Sequence, residues 1–174
     1  MRKNSASLLF CLIIAATLAA AAQAAQNEWQ QYSYASDGFA VSAPSQPEFS
    51  KQDKPTQAGN VEVHYYAIDL GGNSGVMIST GQFQAQETAP PKTTLQKAKE
   101  NAIATANAKV TSEHEITLQN FPGLEFEAAN DQFHTRVRMY LVNARLITMM
   151  AIAPKDTELP AGAEHVFSSF KILK

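Results

Sequence analysis

From Tyr32 onward the chain alternates apolar and polar residues in short runs, interrupted by one stretch at helical spacing. Tyr32 and Tyr34 alternate with polar neighbours, Asp37-Gly38 marks a tight turn, and Phe39 and Val41 resume the alternation, which predicts a hairpin. Pro44 and Pro47 end its second strand, because proline cannot donate to a ladder. A short edge strand at 48–52 and a loop at 54–59 follow. Residues 61–70 are apolar on both parities, which predicts a long strand covered on both faces, and the Gly-rich 71–75 turns it into a returning strand at 76–83. Thr93-Thr94-Leu95-Gln96 fits a capping box, with Thr93 as cap and Gln96 reaching back. Leu95, Ala98, Ala102, Ile103 and Ala106 then mark one apolar stripe of a helix over 94–108. Alternation returns at 109–118, and Asn120-Phe121-Pro122-Gly123 predicts a turn.

The last third predicts a register. Segments 124–130, 133–142 and 145–153 form a three-stranded meander, with Asp131-Gln132 and Asn143-Ala144 as two-residue turns. The first turn sets Phe126 opposite Val137 and Leu124 opposite Met139 on one face. On the other it sets Glu127 opposite Arg136 and Glu125 opposite Arg138. A slip of one residue would destroy both charge pairings. The second turn sets Leu141 opposite Leu146, Tyr140 opposite Ile147 and Arg138 opposite Met149. The third strand is apolar on both parities and should be central. Pro160 opens a second helix that buries Val166, Phe167 and Phe170. About eight mostly antiparallel strands with one helix midway and one at the end need a layer on each side of the sheet. The expected class is α+β: an α/β/α sandwich whose central antiparallel sheet is flanked by two helices.

Residues 1–24 read as an address. Arg2 and Lys3 precede an apolar run from Leu8 to Ala22, and Ala22-Gln23-Ala24 is a small-x-small cleavage site, together the pattern of a secretory signal peptide. The run falls short of the ~20 apolar residues that a membrane span requires, so no stable anchor is expected after cleavage. Cys11 lies inside the run behind bulky Phe10, which argues against a lipoprotein. The expected organisation is therefore a leader at 1–24, a polar, loose start at 25–31 and one domain at 32–174, exported to the periplasm or secreted.

Composition narrows the function. Fourteen basic against 16 acidic residues give no electrostatic case for nucleic acid. Cys11 is the one cysteine, so the cleaved chain has neither a disulfide nor a thiol nucleophile. The Gly-rich 71–75 stretch lacks the lysine of a phosphate loop, and His114-Glu115 lacks the second histidine of a zinc motif. His64, His114, His134 and His165 lie on different elements, and no metal or cofactor is expected. One sheet face stands out. Glu125, Glu127, His134, Arg136, Arg138 and Tyr140 share it, beside Ile147 and Met149. It reads either as a contact for an anion or peptide, with the arginines as donors, or as charges neutralising one another on a solvated surface. Trp29, Tyr32 and Tyr34 could anchor a partner or cover the sheet edge.

Three motifs carry a resemblance. Residues Asp37-Gly38-Phe39-Ala40-Val41-Ser42-Ala43-Pro44, then Arg138-Met139-Tyr140-Leu141-Val142-Asn143-Ala144-Arg145-Leu146, then Phe167-Ser168-Ser169-Phe170-Lys171-Ile172 resemble, in this order, segments of PsbP-like domains, including uncharacterised exported bacterial ones. The resemblance implies the same sandwich and no enzyme activity; its known relatives look like assembly factors, extrinsic subunits or adaptors. It carries over no functional residue. Ala144 stands where the hairpin usually has Gly, so a longer or distorted turn is expected there. The reading that follows is a non-enzymatic interaction or adaptor domain of the bacterial envelope, with an unknown envelope protein as partner. The alternative is a small-ligand carrier whose pocket between sheet and helix is lined by Met139, Met149 and Met150. A hydrolase using Glu125, Glu127 and His134 is a third reading, weakened by the lack of an activating arrangement.

Overall fold

A computed structural model of the protein describes residues 29–56, 59–82 and 89–173; the expected leader lies outside the described residues. The meander forms in the expected register. β7 (Phe121–Ala129) faces β8 (Phe133–Val142) with Glu125 opposite Arg138 and Phe126 opposite Val137, and β8 faces β9 (Arg145–Pro154) with Tyr140 opposite Ile147. Asn130 fixes the first turn, its side-chain oxygen accepting from the Gln132 and Phe133 N–H groups at 2.9 and 3.0 Å. The second turn keeps two residues despite Ala144, with Val142 facing Arg145, because the left-handed conformation falls on Asn143 (φ 56°). Asparagine tolerates that region.

β9 is central, as its two apolar parities demand. The large sheet runs β3 (Glu48–Thr56), β4 (Gly59–Asp69), β5 (Gly75–Gln82), β9, β8, β7, β6 (Lys109–Leu118), and its neighbours are antiparallel. Alternate side chains of β8 serve opposite layers. Val137 and Met139 join Leu95 of α1 (Pro91–Ala106), with Leu124 and Phe126. Tyr140 points the other way, with Ile147 and Met149, toward Val166 and Phe167 of α2 (Ala161–Ser169).

Ten strands form two sheets among the described residues, where one central sheet was expected. β1 (Gln30–Tyr34), β2 (Phe39–Ala43) and β10 (Lys171–Ile172) make a separate three-stranded sheet that lies with α2 over one face of the large sheet. The hairpin is real, with Tyr34 facing Phe39, but a 3-10 turn over Ala35–Asp37 and a left-handed Gly38 (φ 73°) link its strands. β1 starts at Gln30, two residues ahead of the expected domain start.

Other boundaries move for identifiable reasons. α1 starts at Pro91, so Thr93 lies inside it and the capping box is not made; Gln96 donates to Glu113 Oε1 at 2.6 Å instead. The turn before β7 is Gln119-Asn120, both left-handed (φ 50° and 70°), so Phe121-Pro122-Gly123 opens the strand. Pro122 fits because pairing with β8 begins only at Gly123. β3 extends to Thr56 through Pro55, which an edge strand tolerates. β4 buries Tyr66 and Ile68 on one face; on the other it buries Val61, half-buries Val63 and Tyr65 and leaves Ala67 exposed, so the second face is covered over part of the strand only. α1 packs over β7 and β8, at the opposite end of the sheet.

Candidate functional site

The face carrying Glu125, Glu127, Arg136 and Arg138 lies beneath α2. Arg136 donates through Nε (3.0 Å) and Nη2 (2.9 Å) to Glu127 Oε1, and its Nη1 lies 3.4 Å from Glu164 Oε2 on α2. Arg138 Nε donates to Glu125 Oε2, its Nη2 lies 3.8 Å from Glu164 Oε1, and its guanidinium sits 4.8 Å from the Phe167 ring centroid. From β6, His114 Nε2 approaches Glu125 Oε1 at 3.2 Å. Every carboxylate in this ladder thus has a cationic or imidazole neighbour, and Glu164 links both arginines to the helix. Tyr140 is buried beneath, its ring parallel to that of Phe170 at 6.3 Å, and burial raises its phenol above the usual range. Ile147 and Met149 are wholly buried. The patch thus ties α2 to the sheet through Glu164, with Glu125 and Tyr140 buried and Glu127, Arg136 and Glu164 left partly exposed.

A groove of about 600 Å³ opens where this ladder ends. Glu127, His134 and Arg136 line its sheet side; Lys155, Glu158 and Leu159 line its loop side, and Ala163, Glu164 and Phe167 its helix side. His134 Nε2, buried from solvent, has no hydrogen-bond partner among the described residues. A buried polar atom of that kind costs about 1–3 kcal/mol unless something satisfies it. Among the described residues the Lys155 ammonium reaches Asp131 alone, at 3.8 Å, and it remains half exposed. α2 starts beside the groove with Pro160 as its cap residue and no side-chain cap.

The aromatic start takes the covering role. Trp29 lies against the His165 ring at 4.1 Å, while Tyr32 and Tyr34 pack onto the core shared by β2 and α2. Tyr34 meets Tyr66 at 4.2 Å, and its buried hydroxyl has no partner among the described residues. Trp29 also borders a second hollow with Asp69, Leu70 and Gly162. The three methionines do not share a pocket: Met149 packs on the α2 side, Met139 and Met150 on the α1 side. The hydrolase arrangement does not assemble among the described residues either, since Glu125 and Glu127 are held by arginines and His134 Nε2 bonds to neither. Among the described residues no group of three or more His, Cys, Asp or Glu side chains could hold a metal ion.

One cluster was not singled out from the sequence. Asp37, buried in the β1–β2 turn, accepts from His64 Nδ1 at 2.9 Å and from the Tyr66 hydroxyl. His64 Nε2 faces Glu62 Oε1 at 2.9 Å, and Glu62 pairs with Lys51 at 2.9 Å. The bond to Asp37, then that to Glu62, raises the His64 pKa. Burial, then the bond to Asp37, raises that of Tyr66. His64 and Tyr66 do stand at spacing two on one strand, a legible signal. Asp37 comes from the other sheet, and nothing local to the sequence announces it.

A seven-stranded antiparallel sheet between a helix on one face and a helix with a small sheet on the other defines a PsbP-like α+β fold. The solution structure of cyanobacterial PsbP (CyanoP) from Synechocystis sp. PCC 6803 is similar over 82% of this chain and 91% of that one, with TM-score 0.57 and 11% identity. A protein of unknown function, PA94 from Pseudomonas aeruginosa, is similar over 66% of this chain and 89% of that one, with TM-score 0.43 and 9% identity. No family model and no curated protein matches the sequence. Among the described residues no helix is long and apolar enough to cross a membrane.

Proposed function

We propose that the protein is an exported, non-enzymatic interaction domain that holds a segment of an envelope protein in the groove between β8 and α2. The observation that carries this reading is the buried, unpartnered His134 Nε2 in a groove with an apolar floor at Ala163 and Phe167 and a lightly held Lys155 at its rim. An extended peptide offers a side chain for the floor and an acidic group for Lys155, and a turn of the His134 ring, whose Nε2 is buried from solvent as it stands, would bring that nitrogen to the peptide backbone. Glu127, Arg136 and Glu164 keep one wall rigid by bonding to each other. The leader sequence supports an envelope location.

The test is capture from a native envelope extract, with bound proteins identified by mass spectrometry. The wild-type protein should retain one defined partner, and His134→Ala or Lys155→Glu should release it by roughly tenfold or more. Equal capture by both variants sinks the groove as the site. A small-ligand carrier remains the second reading, favoured by the volume of the same groove. It predicts a rise in Tm with ligand that His134→Ala abolishes.

A further inference from the structure

Among the described residues the large sheet ends on two strands, β3 and β6, that each have one neighbour. β6 carries a register shift between Val110 and Ser112, a bulge that blunts an edge. β3 has no such break over its pairing with β4, and Glu48 to Pro55 are all exposed. Phe49, on this strand, is 51% exposed. A regular, open ladder beside an exposed aromatic ring is a template for a further strand.

We infer that β3 pairs antiparallel with β3 of a second copy about a two-fold axis at Gln52, joining two large sheets into one. Two separate properties select this register. The first is length: Glu48–Thr56 is centred on Gln52, so this axis overlaps the strand with itself from end to end. The second is charge. The axis sets Lys51 opposite Asp53 of the second copy, twice by symmetry, and brings Lys54 diagonal to Glu48. An axis at Lys51 would set Lys51 on itself, and one at Asp53 would set Asp53 on itself, which like-charge repulsion disfavours. Phe49 then faces Pro55 of the second copy. Pro55 lacks an N–H and removes at most one donor at each end of the ladder. Lys51 already meets Glu62 at 2.9 Å, but its ammonium has three donors and stays 59% exposed. Lysines on an isolated edge guard against pairing; here each finds an acidic neighbour across the axis.

Sedimentation equilibrium of the purified protein tests this with charge swaps at exposed positions, and circular dichroism checks that each variant folds. The wild type should dimerise with rising concentration. Lys51→Asp and Asp53→Lys should each weaken the dimer by roughly tenfold or more, since each sets like charges opposite one another. Mixing the two variants should give a heterodimer, and the double swap K51D/D53K should restore the homodimer. A wild type that stays monomeric, single variants that dimerise as well as it does, or folded variants that neither the mixture nor the double swap rescues would each overturn the inference. It stands apart from the groove beside α2, whose variants leave this edge untouched.

Discussion

His64 has a carboxylate at each ring nitrogen, Asp37 at Nδ1 and Glu62 at Nε2. An imidazolium donates to both at once, whereas a neutral imidazole donates to only one. Because its folded pKa is raised, the stability it contributes is fully present below about 6.5, the unfolded value, and is lost as pH rises through the folded value. The expected result is that wild type exceeds His64→Gln in urea stability at about pH 6 by about 1 kcal/mol, and that the difference shrinks toward about pH 9. A difference that is constant or grows with pH would show that His64 acts by packing alone. Local pattern shows that His64 is on a strand; it does not show that a turn in another sheet supplies Asp37, because that contact spans 27 positions and depends on how the layers stack.

At the scale of elements, β7 shows how one residue sets a strand's approach. A Cβ on Gly123 would stand 2.6 Å from the Met139 carbonyl oxygen and 2.6 Å from the Tyr140 ring. Gly123→Ala should therefore destabilise the protein by about 1–3 kcal/mol in thermal or urea unfolding, by forcing β7 away from β8. Gly72→Ala is the control: nothing lies within 4 Å, so only the strain of its φ of 61° remains, about 1–2 kcal/mol. If Gly123→Ala costs less than the control, the close packing of these strands is not what requires glycine. The meander register was legible because two turns and two charge pairs agree on it. The capping box was not, because Pro90 and Pro91 set the helix start upstream and Glu113 drew Gln96 away.

For the whole molecule, export with cleavage after Ala24 predicts that protein recovered from a periplasmic fraction begins at Ala25, which N-terminal mass spectrometry reads directly. Recovery in the membrane fraction with residues 1–24 attached would sink that expectation. By itself the sequence determined the sandwich, the central place of β9 and the Glu–Arg register across β7 and β8, since strand alternation, helical spacing and tight turns are encoded within a few residues of one another. Only the tertiary structure decided that β1, β2 and β10 leave the main sheet, that α2 roofs the charged face and turns it into a clasp, and that Asp37 meets His64. Those outcomes depend on which layer covers which. Residues far apart in the chain choose that together, by the apolar area they can bury and the charges they must then pair.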